Sequence, residues 1–338
     1  MPSQMTRIAM ARHPEGDPVA EDFSVEKQAM PEPSQGEILV EVTLLSLDPY
    51  MRGRMAPVKS YAPSLSVGDT MTGQGVGRVL VSKADGFAQG DLVTGMTGWA
   101  SHAVLKGTEA RKLDSDLPPS TALGVLGMPG FTAWTGLAKY GRPKAGETLV
   151  VAAATGPVGA MVGQLAKSQG LRTVAIAGGA EKCRIATETF GFDAAIDHRA
   201  HDASSLRRAL AEAAPDGIDI YWENVGGKVL EAVIPLMNVH GRIPVCGTIA
   251  WYSGAEETTD QLPLVWRSVL TKRLSVNGLI IFDHWDGFPD FLREVTPKVA
   301  AGEINWLEDV AEGLENAPAA FMAMLKGGNT GKQIVKLS

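Results

Sequence analysis

The chain has 338 residues, which exceeds one typical domain and predicts two. Its 45% hydrophobic and 20% charged residues are those of an ordinary globular protein, and its net charge of −7 argues against nucleic acid or an anionic membrane as a partner. No apolar run approaches the roughly 20 residues that span a bilayer, and the first residues lack a signal-peptide pattern, so we expect a cytoplasmic protein.

The first part of the chain, to about residue 123, predicts a small β-barrel-like domain. Residues 37–47 alternate and then become apolar, as in a half-buried strand. Residues 73–81 and 91–95 indicate further strands, punctuated by glycine turns. Helix signals are sparse in this region, which is typical of a barrel.

From about residue 122 the pattern changes to alternating strands and helices. We predict strands at 148–153, 173–177, 194–197, 218–223, 242–246 and 274–281, and helices at 158–169, 181–190, 203–213 and 227–237. Near-continuous apolar strands in β-α alternation indicate the α/β class with a doubly wound parallel sheet. Pro244 is awkward within a central strand, because it has no N–H to donate. A helix over 317–324 and a strand over 333–337 suggest that the tail returns to the first domain.

The segment from Ala153 to Gly159 predicts a binding site for a dinucleotide pyrophosphate. An apolar strand runs into Ala153, Thr155, Gly156, Val158 and Gly159 and then into a helix. The two glycines let the backbone approach phosphate oxygens and let the helix pack on its strand. The spacing alone leaves a merely structural turn as an equal alternative.

The end of the next predicted strand indicates which dinucleotide binds. NAD-preferring sites usually have an acidic residue there, whereas this chain has Gly178 and Gly179. Lys182, and with it Arg184, could neutralise a 2′-phosphate. The pattern therefore favours NADPH, although a solvated helix surface is the ordinary role of any single lysine.

Metal-ligand signals are weak. Cys183 and Cys246 are the two cysteines, and they build neither a disulfide framework nor a cysteine-zinc site. His198 and His201 lie three residues apart without a convincing third ligand, so we interpret them as surface residues. We expect no metal.

Several motifs resemble those of one enzyme family. They are Leu-Asp-Pro-Tyr-Met-Arg at 47–52, Gly-Met-Pro-Gly-Phe-Thr-Ala at 127–133, Glu-Asn-Val-Gly-Gly at 223–227, the segment 241–247, Ala-Ala-Phe-Met at 319–322 and Gly-Lys-Gln-Ile-Val-Lys at 331–336. With the glycine turn, the chain resembles the zinc-independent medium-chain dehydrogenase/reductases over nearly its whole length. Within them it is similar to the prostaglandin reductase or leukotriene B4 dehydrogenase branch, with its curcumin reductase-like and plant alkenal double-bond reductases.

The resemblance implies a GroES-like catalytic domain over 1–123, an NADPH-binding Rossmann domain over 124–297 and a return to the catalytic domain over 298–338. Zinc relatives have a cysteine ligand and a Gly-His-Glu segment where this chain has Leu-Ser-Leu at 45–47 and Thr-Gly-Gln-Gly at 72–75. This difference argues against catalytic zinc.

The implied reaction is NADPH-dependent reduction of the carbon–carbon double bond of α,β-unsaturated ketones and aldehydes. Hydride goes to the β-carbon while a hydroxyl group stabilises the enolate oxygen. Tyr50 and Tyr252 match the pocket tyrosines of the branch, and packing is the alternative role for each. The implied cofactor contacts are Ala153, Thr155, Gly156, Val158, Gly159, Gly178, Lys182, His198, Asn224, Cys246, Gly247, Phe282 and Asn329.

Some features of the resemblance leave alternatives open. His198-Arg199 stands where relatives often have Tyr-Lys, and Phe282 replaces a tyrosine of some members. The pocket shape depends on loops such as 57–66 and 251–261. Quinone reduction and a non-catalytic NADPH-binding sensor are alternative functions. Relatives dimerise through the last Rossmann strand, which predicts a homodimer through residues 274–282.

Overall fold

The computed structural model describes residues 3–113, 116–254 and 261–337. The chain divides into a first unit, Met1–Leu123 with Glu308–Ser338, and a second unit, Gly124–Leu307. The C-terminal segment from Glu308 belongs to the first unit. Just before it, Asn305 is held in the second unit by two hydrogen bonds with Gln164: its carbonyl oxygen accepts from Gln164 Nε2 at 2.9 Å, and its N–H donates to Gln164 Oε1 at 2.7 Å.

The first unit is built on a mainly antiparallel sheet. Its strands are β1 (Gln4–Met10), β2 (Phe23–Ala29), β3 (Glu37–Ser46), β4 (Gly75–Ser82), β5 (Leu92–Gly95), β6 (His102–Lys106), β7 (Arg111–Lys112), β14 (Glu308–Glu312) and β15 (Lys332–Lys336), with helices α1 (Tyr50–Arg54) and α9 (Ala317–Leu325). The large sheet has the order β14-β15-β3-β4-β5-β7, and β6 pairs with β3. The C-terminal strand β15 lies antiparallel to β3, so the tail completes this sheet.

The core of the first unit joins residues from both ends of the chain. Trp99 is fully buried, stacks on Phe23 at 5.8 Å and meets the edge of Phe321 at 5.4 Å. Leu45 and Met51 belong to the same cluster. Burial of such large side chains fixes α9 against the sheet.

The second unit is a doubly wound parallel α/β sheet. Its strands are β8 (Thr148–Ala152), β9 (Arg172–Ala177), β10 (Ala194–Asp197), β11 (Ile218–Trp222), β12 (Met237–Val245) and β13 (Ser275–Gly278). Its helices are α2 (Met128–Gly136), α3 (Pro157–Ser168), α4 (Ala180–Glu188), α5 (Ala203–Ala213), α6 (Gly227–Val233), α7 (Gln261–Lys272) and α8 (Phe288–Ala300). The strand order β10-β9-β8-β11-β12-β13 reverses direction between β8 and β11, where such sheets bind ligands. The predicted fold class is confirmed.

Some predicted boundaries are wrong. The helix expected to reach 237 ends at Val233, and the strand expected at 242 begins at Met237. Pro244 is tolerated in β12, where its carbonyl accepts from the N–H of Glu223 at 3.0 Å. The strand expected to reach 281 ends at Gly278, and a 3₁₀ helix, Ile281–Gly287, follows.

The described helices include none that is long and apolar enough to cross a membrane. Cytoplasmic localisation stays a prediction.

Candidate functional site

The glycine turn of the second unit lies between β8 and α3. Ala153 has a left-handed backbone, φ 52°, and Gly156 caps α3 in an extended conformation. A Cβ added to Gly159 would lie 2.5 Å from the carbonyl oxygen of Ala153, so the helix packs on its own turn too closely for a side chain. The N–H groups of Val158 and Gly159 lie in the first turn of α3, where they have no intrahelical acceptor. They can bind an anion.

Gly156 differs from Gly159 in what surrounds it. The nearest atom that an added Cβ would meet is the carbonyl oxygen of Ala153, at 3.4 Å, which is ordinary contact. The fold therefore has room for a side chain at Gly156. A ligand backed against this position would explain why glycine stands there.

The adjacent end of β9 packs against the turn that follows β10. Asp197 accepts hydrogen bonds from the N–H of Gly179 at 2.8 Å and from the N–H of Arg199 at 2.9 Å. A Cβ added to Gly178 would lie 2.9 Å from Arg199 Nε and 3.1 Å from His198 Nε2. The turn that bears His198 and Arg199 is thus seated on Gly178.

This turn belongs to a basic cluster, which we define as Lys182, His198, Arg199 and Lys228. Burial lowers the pKa of His198, and the charges of Lys228, Arg199 and Lys182 lower it further. The imidazole is therefore close to three cations. A cluster of this charge beside a glycine turn suits a dianionic phosphate. Lys182 and His198 were predicted from the sequence, whereas Lys228 was missed.

The ends of β11 and β12 meet at the same edge of the sheet. Asn224 Nδ2 donates to the carbonyl oxygen of Ala152 at 2.7 Å, which ties β11 to β8 at the point of strand reversal. The N–H groups of Cys246 and Gly247 donate to the carbonyl oxygen of Glu223 at 2.9 and 3.2 Å.

Tyr252 lies directly against Gly247. A Cβ added to Gly247 would be 2.9 Å from the Tyr252 hydroxyl oxygen and 3.5 Å from the carbonyl oxygen of Asn224. The second unit thus brings Tyr252, Gly247 and Asn224 together. Their roles stay predictions.

Sequence reasoning overlooked Glu223 as an organising residue. Its side chain is buried, and Oε1 accepts from the N–H groups of Val225 at 2.6 Å and Gly226 at 2.8 Å. Burial raises the pKa of Glu223. A single glutamate at the end of an apolar strand, directly before Asn-Val-Gly-Gly, was the available signal.

Cys246 lies beside this carboxyl group. Burial, with the charge of Glu223, raises the pKa of the Cys246 thiol to about 12. The thiol stays protonated at neutral pH and is therefore a poor nucleophile.

Tyr50, in the first unit, follows a segment held by a buried ion pair. Lys332 Nζ lies 2.7 Å from Asp48 Oδ1 and donates to the carbonyl oxygen of Leu47 at 2.6 Å. The Ser46 hydroxyl donates to the second carboxylate oxygen of Asp48. Burial raises the pKa of Tyr50, and the charge of Asp48 adds to this effect. The phenol therefore stays protonated well above neutral pH.

The predicted contacts of two other residues are not tested by the structure. Phe282 is 51% exposed and packs on Trp285, with the ring centroids 6.1 Å apart. Asn329, in the first unit, donates to the carbonyl oxygen of Gly331 at 2.8 Å and so stabilises its own turn. Of the pocket loop 251–261, residues 255–260 lie outside the described part.

The positions that hold zinc in zinc-dependent relatives have other chemistry here. Ser46 donates to Asp48, and Gln74 donates to the Thr94 hydroxyl at 3.1 Å. Within residues 3–113, 116–254 and 261–337, no group of three or more His, Cys, Asp or Glu side chains could hold a metal ion.

The fold and the glycine-rich sheet end define the class of protein, which is a two-unit oxidoreductase with a Rossmann unit and a GroES-like unit. Residues 6–113 match the family described as the N-terminal domain of oxidoreductase, and residues 157–296 match the family described as zinc-binding dehydrogenase.

Full-length relatives identify the branch. The chain is 48% identical to an NADPH-dependent curcumin reductase of Escherichia coli (strain K12), over 98% of this chain and 96% of the relative. It is 41% identical to an NADP(+)-dependent 2-alkenal reductase of Nicotiana tabacum, over 98% and 97%. The structure of CurA from Vibrio vulnificus in complex with NADPH superposes with a TM-score of 0.93 at 45% identity, covering 98% of this chain and 99% of CurA. The chain therefore belongs to the medium-chain dehydrogenase/reductases, in the branch of the curcumin, alkenal and prostaglandin reductases, as its motifs predicted.

Proposed function

We propose that this protein uses NADPH to reduce the carbon–carbon double bond of α,β-unsaturated ketones and aldehydes. The observation that carries the proposal is the Tyr252 hydroxyl lying against Gly247, at the same sheet edge as the glycine turn of Gly156 and Gly159. It puts a hydrogen-bond donor among the residues expected to hold the cofactor. The reductase relatives support the same reaction class.

The residues present fit NADPH. Gly156 has space that the fold itself leaves open, and the N–H groups of Val158 and Gly159 suit the pyrophosphate. The basic cluster suits the 2′-phosphate of the adenosine. NADPH, when bound, supplies the hydride.

The protein's own contribution is to stabilise negative charge on the substrate oxygen. The Tyr252 hydroxyl donates a hydrogen bond to the carbonyl oxygen as enolate charge develops there. Tyr50 is the alternative donor that the family resemblance implies. The protonated thiol of Cys246 avoids adding to an electrophilic alkene, since the thiolate is the reactive form.

The test is oxidation of NADPH and NADH by the purified protein with a medium-chain enone, an enal and a simple quinone. We expect NADPH oxidation with the enone, and the saturated ketone as the product in mass spectrometry. Activity confined to the quinone would favour quinone reduction instead. Tight NADPH binding without turnover on any acceptor would indicate a sensor.

We also propose that two copies of this chain associate through β13 and α7. β13 ends the described order of the parallel sheet, and its Val276 is 48% exposed. Leu262, Trp266 and Leu270 recur every four residues on α7 and are 66%, 61% and 76% exposed. An edge strand and an exposed apolar stripe are each suited to a self-complementary contact. Light scattering should give twice the chain mass of 35.7 kDa, and the single-chain mass at micromolar concentration would contradict the proposal.

A further inference from the structure

Lys228 binds the turn that carries two members of the basic cluster. Its Nζ donates to the carbonyl oxygen of His198 at 2.8 Å and to that of His201 at 2.9 Å. One acceptor belongs to the first residue of the 3₁₀ turn His198–Ala200, and the other belongs to the residue that directly follows the turn. Asp197 caps the turn by accepting from the N–H of Arg199. Asp197 and Lys228 therefore both hold this turn through its backbone.

The position of Lys228 in the fold makes this contact long-range. Lys228 lies in the first turn of α6, whose N-cap Gly226 and first residue Gly227 have φ of 78° and 55°. α6 follows β11, whereas the bound turn follows β10, and β9 and β8 lie between these strands in the sheet. Lys228 therefore connects the loop of Asn224 with the turn of His198.

The bound turn is also the one seated on Gly178. A Cβ added to Gly178 would lie 3.1 Å from His198 Nε2 and 2.9 Å from Arg199 Nε, so both side chains pack directly on this glycine. Lys228 contributes charge as well, because it follows burial as the largest cause that lowers the pKa of His198. Its hydrogen bonds go to backbone carbonyl groups, so its main effect is on where His198 and Arg199 are held.

We propose that Lys228 is a positioning residue that makes the site selective for dinucleotides with a 2′-phosphate, by holding the His198–Arg199 turn against Gly178. The inference rests on the proposed NADPH function and assigns its cofactor selectivity to a residue outside the glycine turn. Without the lysine, the turn loses two charge-assisted hydrogen bonds and its side chains lose their alignment with the phosphate.

The test compares Lys228→Gln and Lys228→Arg with the unsubstituted protein, by calorimetric titration with adenosine 2′,5′-bisphosphate and with adenosine 5′-monophosphate. These fragments differ by the 2′-phosphate and need no turnover. We expect Lys228→Gln to lower the affinity for the bisphosphate by about tenfold, which is the effect of one good charged hydrogen bond. Its affinity for the monophosphate should fall by less than about twofold. Lys228→Arg should recover most of the bisphosphate affinity, because arginine can still donate to both carbonyl groups.

Lys272 provides a matched control. Its Nζ donates to the carbonyl oxygens of Pro235 and Met237 at 2.6 and 2.7 Å, the same kind of contact outside the basic cluster. Lys272→Gln should leave the ratio of the two affinities unchanged, and urea unfolding of each variant separates binding from loss of fold.

The inference is overturned if Lys228→Gln retains the wild-type ratio, or if Lys272→Gln lowers it equally. In both cases the NADPH proposal stands, provided that the unsubstituted protein prefers the bisphosphate. Equal binding of the two fragments by the unsubstituted protein would instead contradict the NADPH proposal itself.

Discussion

The two units hold their candidate tyrosines by different physical means. In the first unit, Tyr50 follows a segment anchored by Lys332 and Asp48, whose side chains are only 3% and 8% exposed. In the second unit, the N–H groups of Cys246 and Gly247 donate to the carbonyl oxygen of Glu223, and the hydroxyl of Tyr252 lies against Gly247. The first arrangement depends on buried charge, and the second depends on close packing against glycine.

Because of this difference, substitutions in the two units should affect different properties, namely folding stability and ligand binding. A buried pair becomes costly when one partner is removed, because the other charge remains away from water. Burial lowers the pKa of Lys332 even though Asp48 opposes this effect, so desolvation of the ammonium group is substantial. We therefore expect changes beside Tyr50 to act on folding, and changes at the glycine-rich sheet end to act on binding.

The largest expected effect is that of Asp48→Asn. The substitution leaves the Lys332 ammonium group buried without a counter-charge, which should lower the free energy of unfolding by about 3–5 kcal/mol in urea titration. Glu109→Gln is the control, because its pair with Lys106 is about two-thirds exposed, and it should cost less than about 1 kcal/mol. Similar losses for both variants would contradict the role of burial.

Tyr252→Phe should reduce turnover on enones by about 100-fold, the effect of losing one donor to a developing oxyanion, without lowering the free energy of unfolding. Tyr50→Phe, measured on the same enones, shows which hydroxyl contributes more. Unchanged turnover of Tyr252→Phe on several enones would remove its catalytic role. A larger loss for Tyr50→Phe would assign the principal donor to the first unit.

Gly156→Ala and Gly159→Ala lie in the same turn but should differ in their effects on NADPH affinity and on stability. Alanine at Gly156 meets only the Ala153 carbonyl oxygen at 3.4 Å, so the fold should keep its stability while NADPH affinity falls by about tenfold or more. Alanine at Gly159 would lie 2.5 Å from that oxygen and should also lower the unfolding midpoint. Calorimetric binding and urea unfolding measure the two effects. Unchanged NADPH affinity in Gly156→Ala would show that no ligand backs against this position.

The smallest expected effect is a proton linkage at His198. Burial and nearby cations lower its pKa in the protein, and a bound 2′-phosphate should raise it again by favouring the charged imidazole. Binding should therefore take up a fraction of a proton at His198, and the contribution of His198 to affinity should fall as pH rises from its lowered pKa in the free protein to its higher pKa in the complex.

Titration of adenosine 2′,5′-bisphosphate in two buffers of different ionisation enthalpy measures this uptake. His198→Gln is the control, because it retains the titration of the phosphate itself. Equal proton uptake by both proteins would show that His198 does not contribute.

The sequence by itself determined the features that depend on local pattern. The predicted strand 194–197 and helix 203–213 coincide with β10 and α5, because apolar periodicity is a property of neighbouring residues. The glycine turn also lies where it was predicted, since its glycines, proline and flanking apolar runs are contiguous. The motifs of the branch identified the family for the same reason.

Only the tertiary structure decided the contacts between distant residues. Lys332 and Asp48 are separated by 284 positions, and no local pattern pairs them. Lys228 reaches His198 because α6 and the turn after β10 meet in the folded sheet, although β9 and β8 separate their strands. Likewise, β12 begins at Met237 rather than 242, with its Arg242 donating to the carbonyl oxygen of Gly141. Contacts of this kind depend on which distant segments the folded chain brings together. The periodicity of residues along the sequence does not specify those segments.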